Sequence, residues 1–216
     1  MFLLADVPPA VVQIAQRVNS HERGVMLYRL HRVFDVHAGP SRRHDELELA
    51  VVTQDAAVVK VRVLRATSGG KPLDDASRRQ IETQYEHPKP GDVFHRPFDP
   101  AYLSEYTYQP VDAQTYRFTS LLRDSSHGDG TFTLDGSGEV VEYVYSPDVL
   151  PKYANSGIVT NIRSQVLPGS WRLTREAHEY RGRYFIFSGG ATAVITYDSF
   201  ERFADVPSAL SALEKL

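Results

Sequence analysis

The sequence contains no cysteine among its 216 residues. Disulfide bonds, thiolate zinc sites and cysteine nucleophiles are therefore excluded. The sequence also lacks a strong excess of charge, because 24 Lys and Arg stand against 27 Asp and Glu, a formal net charge of -3. Surfaces that bind nucleic acid phosphates are usually rich in Lys and Arg. We therefore expect no nucleic acid partner.

Long hydrophobic runs are missing as well. The uncharged apolar stretches fall short of the roughly 18 residues that a membrane-spanning helix needs. The opening segment, MFLLA, is apolar, but it has no basic residues before it and is shorter than the core of a secretory signal. The sequence therefore predicts a soluble protein, and it shows no complete export signal.

The composition that remains is typical of a globular protein. Hydrophobic residues make up 42% and charged residues 24%, which argues against disorder. A chain of this length can bury roughly 70% of the surface that it exposes when unfolded. We therefore expect a single domain over residues 1–216 with one sizeable core.

The first part of the chain changes its hydrophobic period. Pro8 and Pro9 suit a helix start, and apolar residues follow at helical spacing, which predicts a helix over about 7–20 that packs through Val11, Ile14 and Val18. From residue 25 onwards apolar residues alternate with polar ones. Three such segments, within residues 25–65, contain Met26, Tyr28, Leu30, Phe34 and Val36, then Leu47, Leu49 and Val51, then Val59, Val61 and Val63. This pattern predicts an antiparallel meander.

Residues 66–100 interrupt the alternation. Asp74 and Asp75 open a polar helix to about residue 86, whose clear apolar pair is Ile81 and Tyr85. The proline-rich stretches 87–91 and 97–100 cannot form a central strand, because proline donates no hydrogen bond to a neighbouring strand. We interpret this excursion as a mobile cover over the sheet.

Further strands are predicted over about 102–109, 114–123, 130–135, 139–146, 156–167, 171–180, 183–188 and 191–203. Gly189 and Gly190 are interpreted as a turn, and Asp205 as the cap of a short closing helix. The predicted fold class is therefore α+β, with a single curved antiparallel sheet of about ten strands and helices that cover its concave face.

Five segments of the chain resemble the LolA/LolB/RseB-like family of bacterial lipoprotein carriers. They are 130–135 (GTFTLD), 138–147 (GEVVEYVYSP), 150–151 (LP), 166–171 (VLPGSW) and 193–203 (AVITYDSFERF). The resemblance implies a half-barrel whose helices cross the open concave side, and a cavity that takes lipoprotein acyl chains in the carrier members. It also implies a non-enzymatic role and a place in the periplasm or cell envelope.

Two groups of polar residues are candidates for metal binding or catalysis. His31, His37 and His44 lie on a strand, at its end and in the next turn. His31 and His37 can share one face of the strand, but they would lie roughly 20 Å apart, too far to share an ion. The loop 124–130 (DSSHGDG) matches neither a calcium-binding loop nor the strained turn of a serine nucleophile. We interpret it as a solvated hairpin loop, with a hydrolase as the least favoured alternative, and expect no catalytic residue, metal or cofactor.

Aromatic residues are concentrated in the strands of the second half. Core packing is one interpretation of them, and contact with a ligand is the other. The residues predicted to face a hydrophobic small molecule or a lipoprotein acyl chain are Val61, Tyr108, Phe118, Tyr143 and Trp171. The alternative function is an envelope sensor or scaffold that binds a protein partner and has a filled interior. A cavity of several hundred Å³ would favour the first function.

Overall fold

The computed structural model describes residues 7–89, 91–184 and 187–216. Eleven antiparallel strands form one open sheet in the order β4-β3-β2-β1-β11-β10-β9-β8-β7-β6-β5. Neighbouring strands in this order are consecutive in the chain, except where β1 pairs with β11. The predicted α+β class and the single curved antiparallel sheet are confirmed, with eleven strands instead of about ten.

The strands and helices have the following bounds. The strands are β1 (Val25–Ala38), β2 (Ser41–Gln54), β3 (Ala57–Ser68), β4 (Lys71–Pro72), β5 (Tyr106–Pro110), β6 (Thr115–Ser120), β7 (Gly128–Leu134), β8 (Val140–Pro147), β9 (Ala154–Leu167), β10 (Ser170–Tyr184) and β11 (Phe187–Phe203). The helices are α1 (Pro9–His21), α2 (Asp75–Glu86) and α3 (Val206–Leu213), and a short 3-10 helix spans Leu103–Glu105.

Two of the helices lie on the same face of the sheet. Residues paired across antiparallel strands point to one face, and one such row consists of Tyr143, Asn161, Glu176, Ile195, Arg32 and Leu47. At one end of this row Tyr143 packs with α1, and at the other end Leu47 belongs to the core beneath α2. These two helices cover the concave face, as predicted.

The third helix, α3, lies on the opposite face. It packs through Ala209 and Leu213 against Ala50 and Val52, which alternate with the residues beneath α2. Arg62 also donates a hydrogen bond of 3.0 Å to the carbonyl of Leu213. The prediction that the helices cover the concave face therefore holds for α1 and α2 and is wrong for α3.

The core beneath α1, which we call the α1 cluster, is filled by aromatic side chains. Val11, Ile14 and Val18 of the helix are buried in it, as the periodicity predicted. The other fully buried residues of this cluster include Phe98, Phe118 and Phe132. Phe98 lies inside the excursion that was interpreted as a mobile cover, so that part of the excursion is core instead.

The remainder of the excursion is less deeply packed. β3 continues to Ser68 and pairs with the two-residue strand β4, so the sheet extends into the predicted excursion. The helix α2 contains no fully buried residue, and Ile81 and Tyr85 are half-buried against the core that we call the α2 cluster. The mobility predicted for residues 66–100, whose amides should exchange earlier than those near Val61 or Val141, stays a prediction.

The prediction of a turn at Gly189 and Gly190 is wrong. Both residues lie in β11, where Gly189 pairs with Gly182 of β10 and Gly190 pairs with Arg181. A methyl group at Gly182 would overlap the carbonyl of Tyr153, and one at Gly189 would overlap the carbonyl of His37. These glycines therefore permit neighbouring backbones to approach closely instead of forming a turn.

Candidate functional site

The five residues predicted to contact a ligand do not form one site. Phe118 and Tyr143 are buried in the α1 cluster, and Tyr108 packs against the same cluster. Val61 is buried in the α2 cluster, on a strand at the other side of the sheet. Trp171 is half-buried near the beginning of β10. A ligand role for these residues stays a prediction.

Side chains fill the concave face around the aromatic members of this set. The ring of Phe132 lies 5.2 Å from that of Tyr116 and 5.8 Å from that of Phe98, between centroids. The hydroxyl of Tyr108 donates a hydrogen bond of 2.6 Å to the carbonyl of Pro97. This packing agrees with the interpretation of the aromatic residues as core rather than as contacts to a ligand.

A cavity of about 430 Å³ lies instead at the end of the sheet where β1, β9, β10 and β11 meet the loop before β9. We call it the end cavity. Its lining atoms are predominantly apolar. The residues that form its walls are Phe34, Val36, His37 and Ala38 of β1, Pro151, Lys152, Tyr153 and Ala154 at the start of β9, Tyr180, Arg181, Gly182 and Arg183 of β10, and Gly189, Gly190 and Ala191 of β11.

Small residues on neighbouring strands border this cavity. Ala38 pairs with Gly189, and Gly189 pairs with Gly182, so this row carries no side chain larger than a methyl group. In the next row Val36 pairs with Ala191. Backbone carbonyls lie close to Gly182 and Gly189, so the small residues admit neighbouring backbone and the cavity lies beside them.

The mouth of the end cavity, which we define by Lys152, Arg181 and Arg183, is basic. Lys152 lies with its Nζ 4.9 Å from the centre of the Tyr153 ring, and that ring is 52% exposed. None of the described residues that line the cavity is acidic. Positive charge thus lies among the residues that border an apolar space, although on β10 Arg181 alternates with Tyr180 and so lies on the face opposite Ala191.

A chain of polar groups continues from the wall of the cavity along β10. The Tyr180 hydroxyl lies 3.3 Å from His178 Nδ1, and His178 Nε2 hydrogen bonds to the Glu176 carboxylate. Burial raises the pKa of Tyr180, so its hydroxyl stays protonated at neutral pH. Because His178 Nε2 donates to the Glu176 carboxylate, Nδ1 can accept the Tyr180 proton, which leaves the hydroxyl oxygen as an acceptor on the cavity side.

The sequence contains a signal for this cavity. The alternation of the first strand predicts that Phe34 and Val36 share one face, and both line the cavity. The segment 188–193 (SGGATA) was interpreted as a turn followed by a strand, although it is a continuous strand of very small residues. Small residues inside a strand indicate close backbone approach or unfilled space.

The loop 124–130 also differs from its interpretation as a solvated hairpin. Ser126 and His127 are buried, with His127 only 1% exposed. The segment before β5 packs over this loop, and the backbone N–H of His95 donates a hydrogen bond of 2.8 Å to the carbonyl of Ser126. The loop is therefore solvated only in part, because Asp124 and Ser125 are exposed whereas Ser126 and His127 pack beneath that segment.

Among the described helices none is both long and apolar enough to span a membrane. No protein-family model matches the sequence, and the search of curated proteins finds no significant match. Similarity is found among solved structures.

Three solved structures illustrate the similarity. Lipovitellin, from a structure of lipid–protein interactions, is 8% identical with a TM-score of 0.47, over 86% of this chain but about a quarter (26%) of the lipovitellin chain. An outer membrane lipoprotein-sorting protein domain from Vibrio parahaemolyticus is 11% identical with a TM-score of 0.42, over 94% of this chain and 97% of that chain. A LolA superfamily protein from Nitrosomonas europaea is 10% identical with a TM-score of 0.36, over 94% of this chain and 98% of that chain. The chain is thus similar to LolA superfamily structures in its arrangement of strands and helices, and the similarity concerns the fold alone.

Proposed function

We propose that the protein binds an acyl chain with an acidic head group in the end cavity. The observation that carries this proposal is an apolar space of about 430 Å³ with a basic mouth. The hydrocarbon would lie against Phe34, Val36 and Ala191, and the acid group would lie at Lys152. A role as a non-enzymatic carrier or sensor in the cell envelope, which the family resemblance implies, is part of the same proposal.

The size and chemistry of the end cavity support this class of ligand. Cavities that bind small molecules usually span about 300–1,000 Å³ and are lined by apolar side chains with a few polar groups. Burial of each methylene contributes roughly 0.8 kcal/mol, so ten methylenes contribute about 8 kcal/mol before ordering costs. We therefore expect affinities no tighter than about micromolar.

The proposal is tested by filling the cavity. Ala191 lies in the cavity wall, and the exposed Thr192 lies on the opposite face of the same strand. We expect a fluorescent fatty acid to bind the native protein saturably, Ala191→Phe to weaken binding at least tenfold, and Thr192→Phe to change it less than twofold. The absence of saturable binding by the native protein would refute the proposal.

The role of the basic mouth requires a separate pair of variants. Lys152→Glu reverses a charge at the mouth, whereas Arg175→Glu reverses an exposed charge on β10 outside the cavity. We expect only Lys152→Glu to weaken a fatty acid, and neither variant to weaken the matching fatty alcohol. Equal effects on both ligands would show that the head group is not held by charge.

A second candidate function is a sensor or scaffold that binds a protein partner. The filled α1 cluster, in which Phe98, Phe118 and Phe132 are fully buried, favours it. In that case Val61→Trp, at a residue that is also buried, lowers stability by about 1–3 kcal/mol and no fatty acid binds at the end cavity. Fatty acid titration of the native protein therefore separates the two candidates.

A further inference from the structure

Two histidines and one carboxylate converge beside β7, at a place that shares no residue with the end cavity. His95 lies in the segment before β5, Glu105 ends the 3-10 helix, and His127 directly precedes β7. One ligand atom of each, namely a ring nitrogen of each histidine and a carboxylate oxygen of Glu105, lies within 4.8 Å of the other two. We propose that these three residues bind a zinc ion.

The contacts within this cluster meet at a single oxygen atom. Glu105 Oε2 lies 2.7 Å from His95 Nδ1 and 3.0 Å from His127 Nε2. A neutral ring nitrogen without hydrogen and a carboxylate oxygen are both hydrogen bond acceptors, so each contact needs a proton or a cation between the two atoms. One divalent ion would satisfy both contacts at once.

The distances allow an ion with little rearrangement. Zinc binds histidine nitrogen and carboxylate oxygen at about 2.0–2.2 Å in tetrahedral geometry, which places its ligand atoms about 3.3 Å apart. Glu105 would need to withdraw by a few tenths of an ångström to reach that separation, and the two ring nitrogens, which lie within 4.8 Å of each other, would need to reach it as well. Its side chain is 25% exposed and lies on a short 3-10 helix, so it has room to move.

The orientation of the two rings is held by neighbouring groups. Asp124 Oδ1 lies 2.6 Å from His127 Nδ1, which directs the other nitrogen, Nε2, towards Glu105. A carboxylate that holds the second nitrogen of a histidine is the usual support of a zinc ligand. The His95 ring stacks on Tyr102, with 3.8 Å between centroids and an interplanar angle of 5°.

Exposure differs among the three ligands in a way that suits an accessible ion. His127 is 1% exposed, whereas the side chains of His95 and Glu105 are each about a quarter exposed. Two histidines and one glutamate are a ligand set that zinc uses when a fourth position stays open to water or another ligand. The buried histidine would anchor the ion and the other two would face solvent.

The test is titration of chelator-treated protein with zinc by calorimetry, and with cobalt by visible absorption. We expect one zinc ion per chain with a dissociation constant of micromolar or below, and a cobalt spectrum of tetrahedral intensity. His127→Gln should weaken binding at least 100-fold and Asp124→Asn by about 10–100-fold, because Asp124 orients the histidine without binding the ion. His31→Gln, at an exposed histidine of β1, is the matched control and should leave binding unchanged.

His127 is buried, so its variant is compared with His95→Gln and Glu105→Gln at the partly exposed ligands, and folding is checked by circular dichroism. A folded variant of any of the three that binds zinc as tightly as the native protein would overturn the proposal. Failure of the native protein to bind one zinc ion would overturn it too, and would show that the cluster is a hydrogen-bonded network only.

Discussion

Glu86 of α2 accepts a hydrogen bond of 3.0 Å from the backbone N–H of Val61 in β3. One helical turn earlier, Glu82 accepts a bond of 2.9 Å from the backbone N–H of Val63. β3 is nearly the edge of the sheet, because its outer neighbour β4 has only two residues. Two carboxylates four residues apart on a helix thus occupy the free donors of an edge strand.

The first prediction concerns this edge. The double variant Glu82→Ala, Glu86→Ala leaves two backbone donors unpaired. Each unpaired donor is expected to lower the free energy of unfolding by about 1–3 kcal/mol. The open edge should also promote self-association, measured by light scattering. Gln84→Ala, at an exposed position of α2, is the control. Monomeric, fully stable double variants would contradict the role given to these carboxylates.

The second prediction concerns pH. Burial alone would raise the pKa of Glu22, but the guanidinium groups of Arg96 and Arg163 outweigh it and lower the pKa from 4.5 to about 2. Arg96 holds the carboxylate with bonds of 2.7 and 2.9 Å, and Arg163 donates a third bond. Because the folded pKa is lower than the unfolded one, ionised Glu22 stabilises the fold above pH 4.5. This contribution, about 3 kcal/mol in full, is lost as the pH falls from 4.5 to about 2.

Denaturant unfolding at several pH values measures this effect. Glu22→Gln should cost about 3–5 kcal/mol at pH 7, because it leaves the buried Arg163 without its carboxylate partner and leaves Arg96 with Asp99 alone, and should flatten the acid dependence of stability. Glu201→Gln removes a carboxylate from an exposed position and should change stability by less than about 0.5 kcal/mol. An unchanged acid dependence in Glu22→Gln would contradict the prediction.

The third prediction tests whether the segment before β5 is core. Phe98 is fully buried, with its ring edge-on to Tyr143 at 5.1 Å between centroids. Phe98→Ala is expected to lower the free energy of unfolding by about 3–5 kcal/mol, through lost burial and the cavity left behind. Val93→Ala, in the same segment at a residue 49% exposed, should have little effect. Equal, small losses in both variants would restore the interpretation of this segment as a cover.

The fourth prediction concerns a glycine in β7. A methyl group at Gly130 would lie 2.0 Å from the carbonyl oxygen of Val144 and 2.9 Å from the ring of Phe118. Gly130→Ala should therefore destabilise the protein by about 1–3 kcal/mol. Gly136→Ala is the matched control, because that turn residue has open space around it. Thermal melting of both variants measures this difference in stability, and equal melting temperatures would contradict the prediction.

Local patterns determined much of this protein from the sequence. The helix α1 was predicted from the spacing of Val11, Ile14 and Val18, and the first three strands from period-two alternation. The cap of the closing helix was predicted at Asp205, whose side chain accepts a hydrogen bond of 2.9 Å from the backbone N–H of Ser208. These features depend on residues that are close together in the chain, so the sequence alone predicts them.

The tertiary structure decided which distant residues meet. The end cavity is bordered by small residues of β1, β10 and β11, which are adjacent only because β11 returns to pair with β1. Glu105 lies 10 positions from His95 and 22 from His127, a separation that matches no ligand motif. Phe98 became core because the chain folds back over β5 to β8, although its own neighbours are polar and proline-rich. Cavities and side-chain clusters of this kind arise from the packing of separate segments, which local periodicity does not encode.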